Sequence, residues 1–262
     1  MINYSKNVFG NKNNWLVVLL SKPSIYLIPL IKNVAFIGVL SFALNYLYLN
    51  TELRIPPLTH SLIGFVIGLL LVFRTQSAYE RWNTGSQLLY TISSCYVFLI
   101  SQAPSQSKKS LKNKLDSILI NFKNVLEEKG DPNSHNKEEQ KLMTALGTSF
   151  EGFIVPANQR FLYELMSSIN NCIKIRNNPI PFSYKIHIKI SIFFYVLSLP
   201  FGLVNDMGMY STFFVMLIFF IVAGVEIISN EIENPFKGDP NDLPLVSHIK
   251  HLQELGNTLI QD

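Results

Sequence analysis

Charge is almost absent from long stretches of this chain and crowded into others. Asn33 to Thr51 carries no charged residue, and neither does Leu58 to Phe73. By contrast, Lys108, Lys109, Lys112, Lys114, Lys123, Glu127, Glu128 and Lys129 crowd one segment. A charge at the centre of a bilayer costs at least about 2.5 kcal/mol, so lipid enforces this kind of segregation. Only 15% of the 262 residues are charged, against 48% hydrophobic. A soluble domain usually carries roughly 25% charge. These features predict an integral membrane protein.

Four apolar segments are long enough to serve as spans, at about 26–51, 58–73, 186–204 and 207–228. A helix rises about 1.5 Å per residue and must cross a core of about 30 Å. The first span is comfortable, and Tyr46 and Tyr48 suit an interface. The second follows the helix-breaking Pro56-Pro57 and is short for a straight crossing. Its Gly64 and Gly68 have the small-xxx-small spacing that permits close helix approach. Ala78 to Ile100 continues as a helix, apolar on one side. Asn205-Asp206 and Gly208 make a tight link between the third and fourth spans.

The fold class is therefore all-α, a polytopic membrane protein of four spans. A water-exposed helical layer covers about 74–185 and 229–262. Within it, helices are expected in the Lys-rich stretch, near Glu138–Phe150 and near Gln159–Ile175. The Gly130–Pro132 turn separates the first two. Trp15–Leu20 is too short to span; it reads as an interfacial helix or as one packed on the cytosolic body.

Lys and Arg set the orientation. The first-to-second link has Arg54 against Glu52, and the third-to-fourth link has neither Lys nor Arg. The N-terminal region, the middle insert and the tail carry the lysines. The positive-inside rule then places both termini and the insert in the cytosol of a cell that carries this protein in its plasma or inner membrane.

The net charge of +4 gives no argument for nucleic acid. Cys95 and Cys172 form no CxxC pair and read as packed thiols. No phosphate loop, HExxH or GxSxG is present, and the five histidines are scattered. Glu231 and Glu233 point to different faces of a helix. Nothing argues for an enzyme or for a cofactor.

Three features remain. Phe65, Leu69 and Phe73 recur every fourth residue and share one helix face. Such a face is either core or, repeated around a symmetry axis, a narrow apolar throat that gates by dewetting. Arg74 and Arg81 follow, beside Glu80 and Trp82. Arg74 is expected to meet headgroups or helix-end carbonyls, and Arg81 to pair with Glu80 or a distant acid. Finally, Lys185 and Lys189 share a face at the start of the third span. They either snorkel at the interface or favour anions at a pore mouth.

Three stretches together resemble the bestrophin family in its bacterial branch. The first is Ser61 to Gly64 through Phe73-Arg74, Tyr79 and Arg81-Trp82. The second joins Ile180–Tyr184 to Leu199–Val204. The third is Glu231-Ile-Glu233-Asn234-Pro235-Phe236 with Gly238 and Asn241–Leu245. The resemblance covers most of the chain and implies a homopentameric channel for small inorganic ions, embedded in membrane lipid. Its axial pore would have a neck at Phe65, Leu69 and Phe73. A cytosolic aperture would lie at the start of the third span, with Ile186, His187 and Ile190 as candidates. Monovalent anions such as chloride are the expected ions; a sodium or potassium channel and a non-conducting scaffold are the alternatives. Animal members bind calcium through an acidic run after the Asn-Pro-Phe turn. Here that run reads Lys237-Gly-Asp239-Pro-Asn241-Asp242, with few carboxylates for a calcium ion that wants several oxygen ligands.

Overall fold

The computed structural model describes residues 27–48, 55–127, 144, 156–238 and 241–261. Its ordered elements are helical, with no strand among the described residues. They are α1 (Leu27–Tyr48), α2 (Pro57–Ser101), α3 (Ser105–Glu127), α4 (Pro156–Asn177), α5 (Phe182–Ser198), α6 (Pro200–Met207), α7 (Ser211–Ile232) and α8 (Leu245–Gln261). Trp15–Leu20, the Gly130–Pro132 turn, most of Glu138–Phe150 and Asp239 lie outside the described residues.

The chain divides into two compact units. The first comprises the described residues up to Val72 together with Ile186–Ile227. Its outer surface is apolar, with Phe36, Val39, Phe42, Phe65, Phe213 and Ile221 all exposed. Water would not tolerate so much contiguous apolar surface on a stable domain. Among its polar residues, Ser41, Asn45, His60, Ser211 and Glu226 are buried, while Lys32, Asn33, Lys189 and Asp206 are exposed. Asn45 Nδ2 donates to Ser211 Oγ at 2.7 Å and Thr212 Oγ1 at 2.9 Å, joining α1 to α7. His60 Nε2 donates to the Ser198 carbonyl at 2.8 Å, joining α2 to the end of α5. A buried polar group in hydrocarbon needs such a partner.

The second unit comprises Phe73–Lys185 and Ile228–Asp262. It has the ordinary pattern of a water-facing domain. In α3, Leu111, Leu115, Ile118, Leu119, Phe122 and Val125 are buried at helical spacing, while Lys109, Asn113, Ser117, Asn121 and Asn124 are exposed on the other face. They pack in one core with Leu89, Ile92 and Tyr96 of α2, Leu165 and Ile169 of α4, and Leu252 of α8.

Three segments among the described residues are long and apolar enough to cross a membrane: Ile28–Leu47, Pro57–Ser101 and Phe182–Ile232. Two boundaries differ from expectation. The stretch 186–204 is two helices, because Pro200 has no N–H to continue the ladder and starts α6. Asn205 and Asp206 lie inside α6, and the turn falls at Gly208, whose φ of 57° suits a residue without a Cβ. The helix after it therefore begins at Ser211 and not at Met207.

Candidate functional site: the α2 face and the Glu233 cluster

The packed face of α2 is set by His60, Ile67, Leu71, Arg74 and Ala78, all buried and recurring at spacings of three, four and seven. Phe65, Leu69 and Phe73 lie on the opposite side and are 70%, 44% and 56% exposed. The stripe is thus not core within the chain. The helix is unbroken across Phe73, so the same outward face continues as Gln76, Glu80 and Gln87, all exposed. Gln76 Nε2 donates to Glu80 Oε1 at 2.9 Å. The face is apolar up to Phe73 and polar beyond it.

Gly64 and Gly68 serve different ends. A Cβ on Gly64 would sit 2.6 Å from Tyr195 Oη, so its absence lets α2 approach α5. A Cβ on Gly68 would meet nothing within 4 Å.

The three aperture candidates are all exposed. On α5, Ile188, Ile192 and Val196 are buried, and Ile186 and Ile190 share the outward side. His187 is turned to one flank. With Ile190, Phe194, Tyr195, Leu62 and Val66 it lines an apolar groove of about 680 Å³ between α5 and α2.

Directly after Phe73 the chemistry changes. Arg74 is 1% exposed and Glu233 2%, and Arg74 Nη2 donates to Glu233 Oε2 at 2.6 Å. The same nitrogen reaches Asn230 Oδ1 at 3.0 Å, while Nη1 is buried without an acceptor. Lys185 Nζ stands 2.8 Å from Glu233 Oε2, and the Ile180 N–H donates to Oε1 at 2.8 Å. Thr75 Oγ1 and Ser229 Oγ are hydrogen-bonded at 2.8 Å. One carboxylate thus gathers the first turn past Phe73, the loop before α5, the first turn of α5 and the end of α7. Burial pushes the Glu233 carboxyl up, but hydrogen bonds from Lys185, Arg74 and the Ile180 N–H outweigh it and hold it below the usual glutamate range.

Several expectations are corrected by this geometry. Arg74 does not turn to helix-end carbonyls; it is buried, and its partner is an acid 159 residues away. Arg81 takes the helix-end carbonyls instead. Its Nη2 and Nη1 donate to Ile175 and Asn178, and its Nε to the Glu233 carbonyl. Lys185 and Lys189 form no unpaired basic face, because Lys185 binds Glu233 and Lys189 Nζ stands 3.6 Å from Glu226. Glu233 lies one residue past α7, and Glu231 accepts from Asn241 Nδ2.

The Asn234-Pro235-Phe236 segment folds back on α2. A Cβ on Gly85 would meet Phe236, Leu243 and Pro235 between 3.1 and 3.3 Å, so glycine admits the turn. Trp82 Nε1 donates to the Asn241 carbonyl at 3.2 Å, and Leu243 N–H to the Pro235 carbonyl at 2.9 Å. Of the calcium candidates, Asn241 uses its backbone carbonyl for Trp82 and its Nδ2 for Glu231, and Asp239 lies outside the described residues. No three His, Cys, Asp or Glu converge where a metal ion could sit among the described residues.

An apolar-surfaced helical unit and a polar helical unit on one chain define a helical membrane protein. The chain belongs to the bestrophin family: the profile of the bacterial/fungal bestrophin protein matches residues 7–151 and 105–255. Among its relatives, a voltage-dependent anion channel-forming protein of Nostoc sp. is 28% identical, over 89% of this chain and 88% of that one. Another protein so named, from Synechocystis sp., is 30% identical over 78% of each chain. The fold is shared with a bacterial bestrophin homologue of Klebsiella pneumoniae. That crystal structure matches with a TM-score of 0.74 and 19% identity, over 91% of this chain and 100% of that one.

Proposed function

We propose that this chain is one subunit of a homopentameric channel that passes small monovalent anions such as chloride across the cell membrane. Four crossings of each subunit leave both termini and the polar unit in the cytosol. Phe65, Leu69 and Phe73 of five subunits line a neck on the axis, and Ile186, His187 and Ile190 are the candidates for the cytosolic aperture. The observation that carries this reading is the α2 stripe, which is large, apolar, exposed and opposite the packed face. A narrow apolar neck expels water and blocks ions without any bulky plug, so its width sets whether current flows.

The names of the Nostoc and Synechocystis relatives favour anions. One structural observation favours a cation channel instead. Glu80 is exposed on the outward side of α2, while Lys185 is held by the buried Glu233 carboxylate and the half-exposed Lys189 stands 3.6 Å from Glu226. Reconstitution in planar bilayers under a potassium chloride gradient separates the two. An anion channel reverses near the chloride equilibrium potential and a cation channel near that of potassium. Absence of current from the wild type and from a Phe65→Ala, Leu69→Ala, Phe73→Ala triple variant overturns both and leaves a membrane scaffold.

A further inference from the structure

We infer that the Glu233 carboxylate is a positioning residue for the neck: it holds the Phe73 turn of α2 and the first turn of α5 to the end of α7, and so keeps the neck shut. The inference rests on the channel reading and on geometry within the second unit. Arg74, adjacent to Phe73, and Lys185, adjacent to Ile186, converge on the same Oε2 at 2.6 and 2.8 Å. The Ile180 N–H holds the other oxygen. The Thr75–Ser229 and Arg74–Asn230 contacts bind the same two turns of α2 and α7.

A buried carboxylate with three donors has few alternative arrangements. Any rotation of α2 about its axis carries the Phe73 ring and the Arg74 guanidinium together, since they are neighbours on one helix. Rotation would leave the guanidinium and the carboxylate buried and apart, which is strongly unfavourable. A hydrophobic neck closes only while its rings converge, and the pair penalises their turning away. The carboxylate also holds Lys185, so the turn that leads into the aperture residues shares the restraint. The two constrictions are thereby not free to move independently.

The test is single-channel recording of Glu233→Gln, a near-isosteric change that removes the charge and keeps an acceptor for Ile180. Open probability should rise at least about threefold with unitary conductance unchanged, because the neck lining is intact. In a Phe73→Ala background the same change should add less, since the ring nearest the pair is gone. An unchanged open probability in an assembled channel overturns the inference, as does an equal effect with and without Phe73. If Glu233→Gln does not assemble, Lys185→Gln, which leaves the Arg74 pair intact, is read instead. It should raise open probability in the same direction by a smaller factor, and no change there overturns the coupling. Failure of the channel reading is distinct: the neck triple-alanine variant would then carry no current.

Discussion

Arg74 and Glu233 are 159 residues apart in sequence, yet their side chains meet at 2.6 Å with almost no exposure to solvent. A pair so buried gives little net stability over an apolar replacement, but removing one partner strands the other. Arg74→Ala should cost about 3–5 kcal/mol, visible as a large fall in the thermal midpoint of the detergent-solubilised protein. Arg74→Met together with Glu233→Leu should recover part of that loss, although Lys185 then lacks its acid. Recovery of none would mean the geometry, and not the stranded charge, sets the cost.

Histidine at 248 predicts a pH dependence of stability. Its Nε2 lies 2.7 Å from Ser93 Oγ and 3.2 Å from the Leu89 carbonyl, joining α8 to α2. Burial pushes its pKa down; the Leu89 carbonyl opposes this and His251 adds to it. The unfolded chain therefore binds the proton more readily. The contribution is complete above about pH 6.5 and declines as pH falls toward the depressed folded value. The thermal midpoint should drop by a few degrees between about pH 7.5 and about pH 5.5. His248→Gln should flatten that slope. Glu233 has the same sign, but its window lies below the ordinary glutamate range and does not overlap.

The two glycines of α2 should respond differently. Gly64→Ala forces a contact with the Tyr195 hydroxyl and should destabilise the fold by about 1–3 kcal/mol. Adding Tyr195→Phe should relieve most of it. Gly68→Ala has open space within the chain and should stabilise a subunit by about 0.5–1 kcal/mol, because alanine is the better helix former. A destabilisation by Gly68→Ala would point to a contact between subunits, which cross-linking of the assembled protein would detect as a changed oligomer.

Both cysteines should be unreactive in the native protein. Cys95 and Cys172 are buried and unpaired, and burial pushes the Cys172 thiol up to about 12. Maleimide should label neither until denaturant is added, because the thiolate is the reactive form. Rapid labelling of native protein at Cys172 would contradict the packing of α4.

The two-unit character of the chain was readable because lipid separates charges along the sequence, and the helix faces because 3.6-residue spacing is visible in residues such as Leu111, Leu115 and Phe122. The partner of Arg74 was not readable. Glu233 sits past the end of α7, and no local spacing connects it to α2 or to Ile180. Lys185 and Lys189 looked like one basic face for the same reason: their acids, Glu233 and Glu226, come from a different helix or its end. His187 and Ile190 border a groove against α2, which only the packing of α5 reveals. Pro200 was a visible break signal, but the position of the following turn depended on which residue took a positive φ, and Gly208 did.

The most direct test of the neck is the open probability of Phe73→Ala beside wild type in reconstituted single channels. It should rise well above wild type, because a wider and wetter neck dewets less readily, while the reversal potential in asymmetric salt stays in place. An open probability and unitary current indistinguishable from wild type, for Phe73→Ala and for the Phe65→Ala and Leu69→Ala variants alike, would contradict it and assign the stripe to packing.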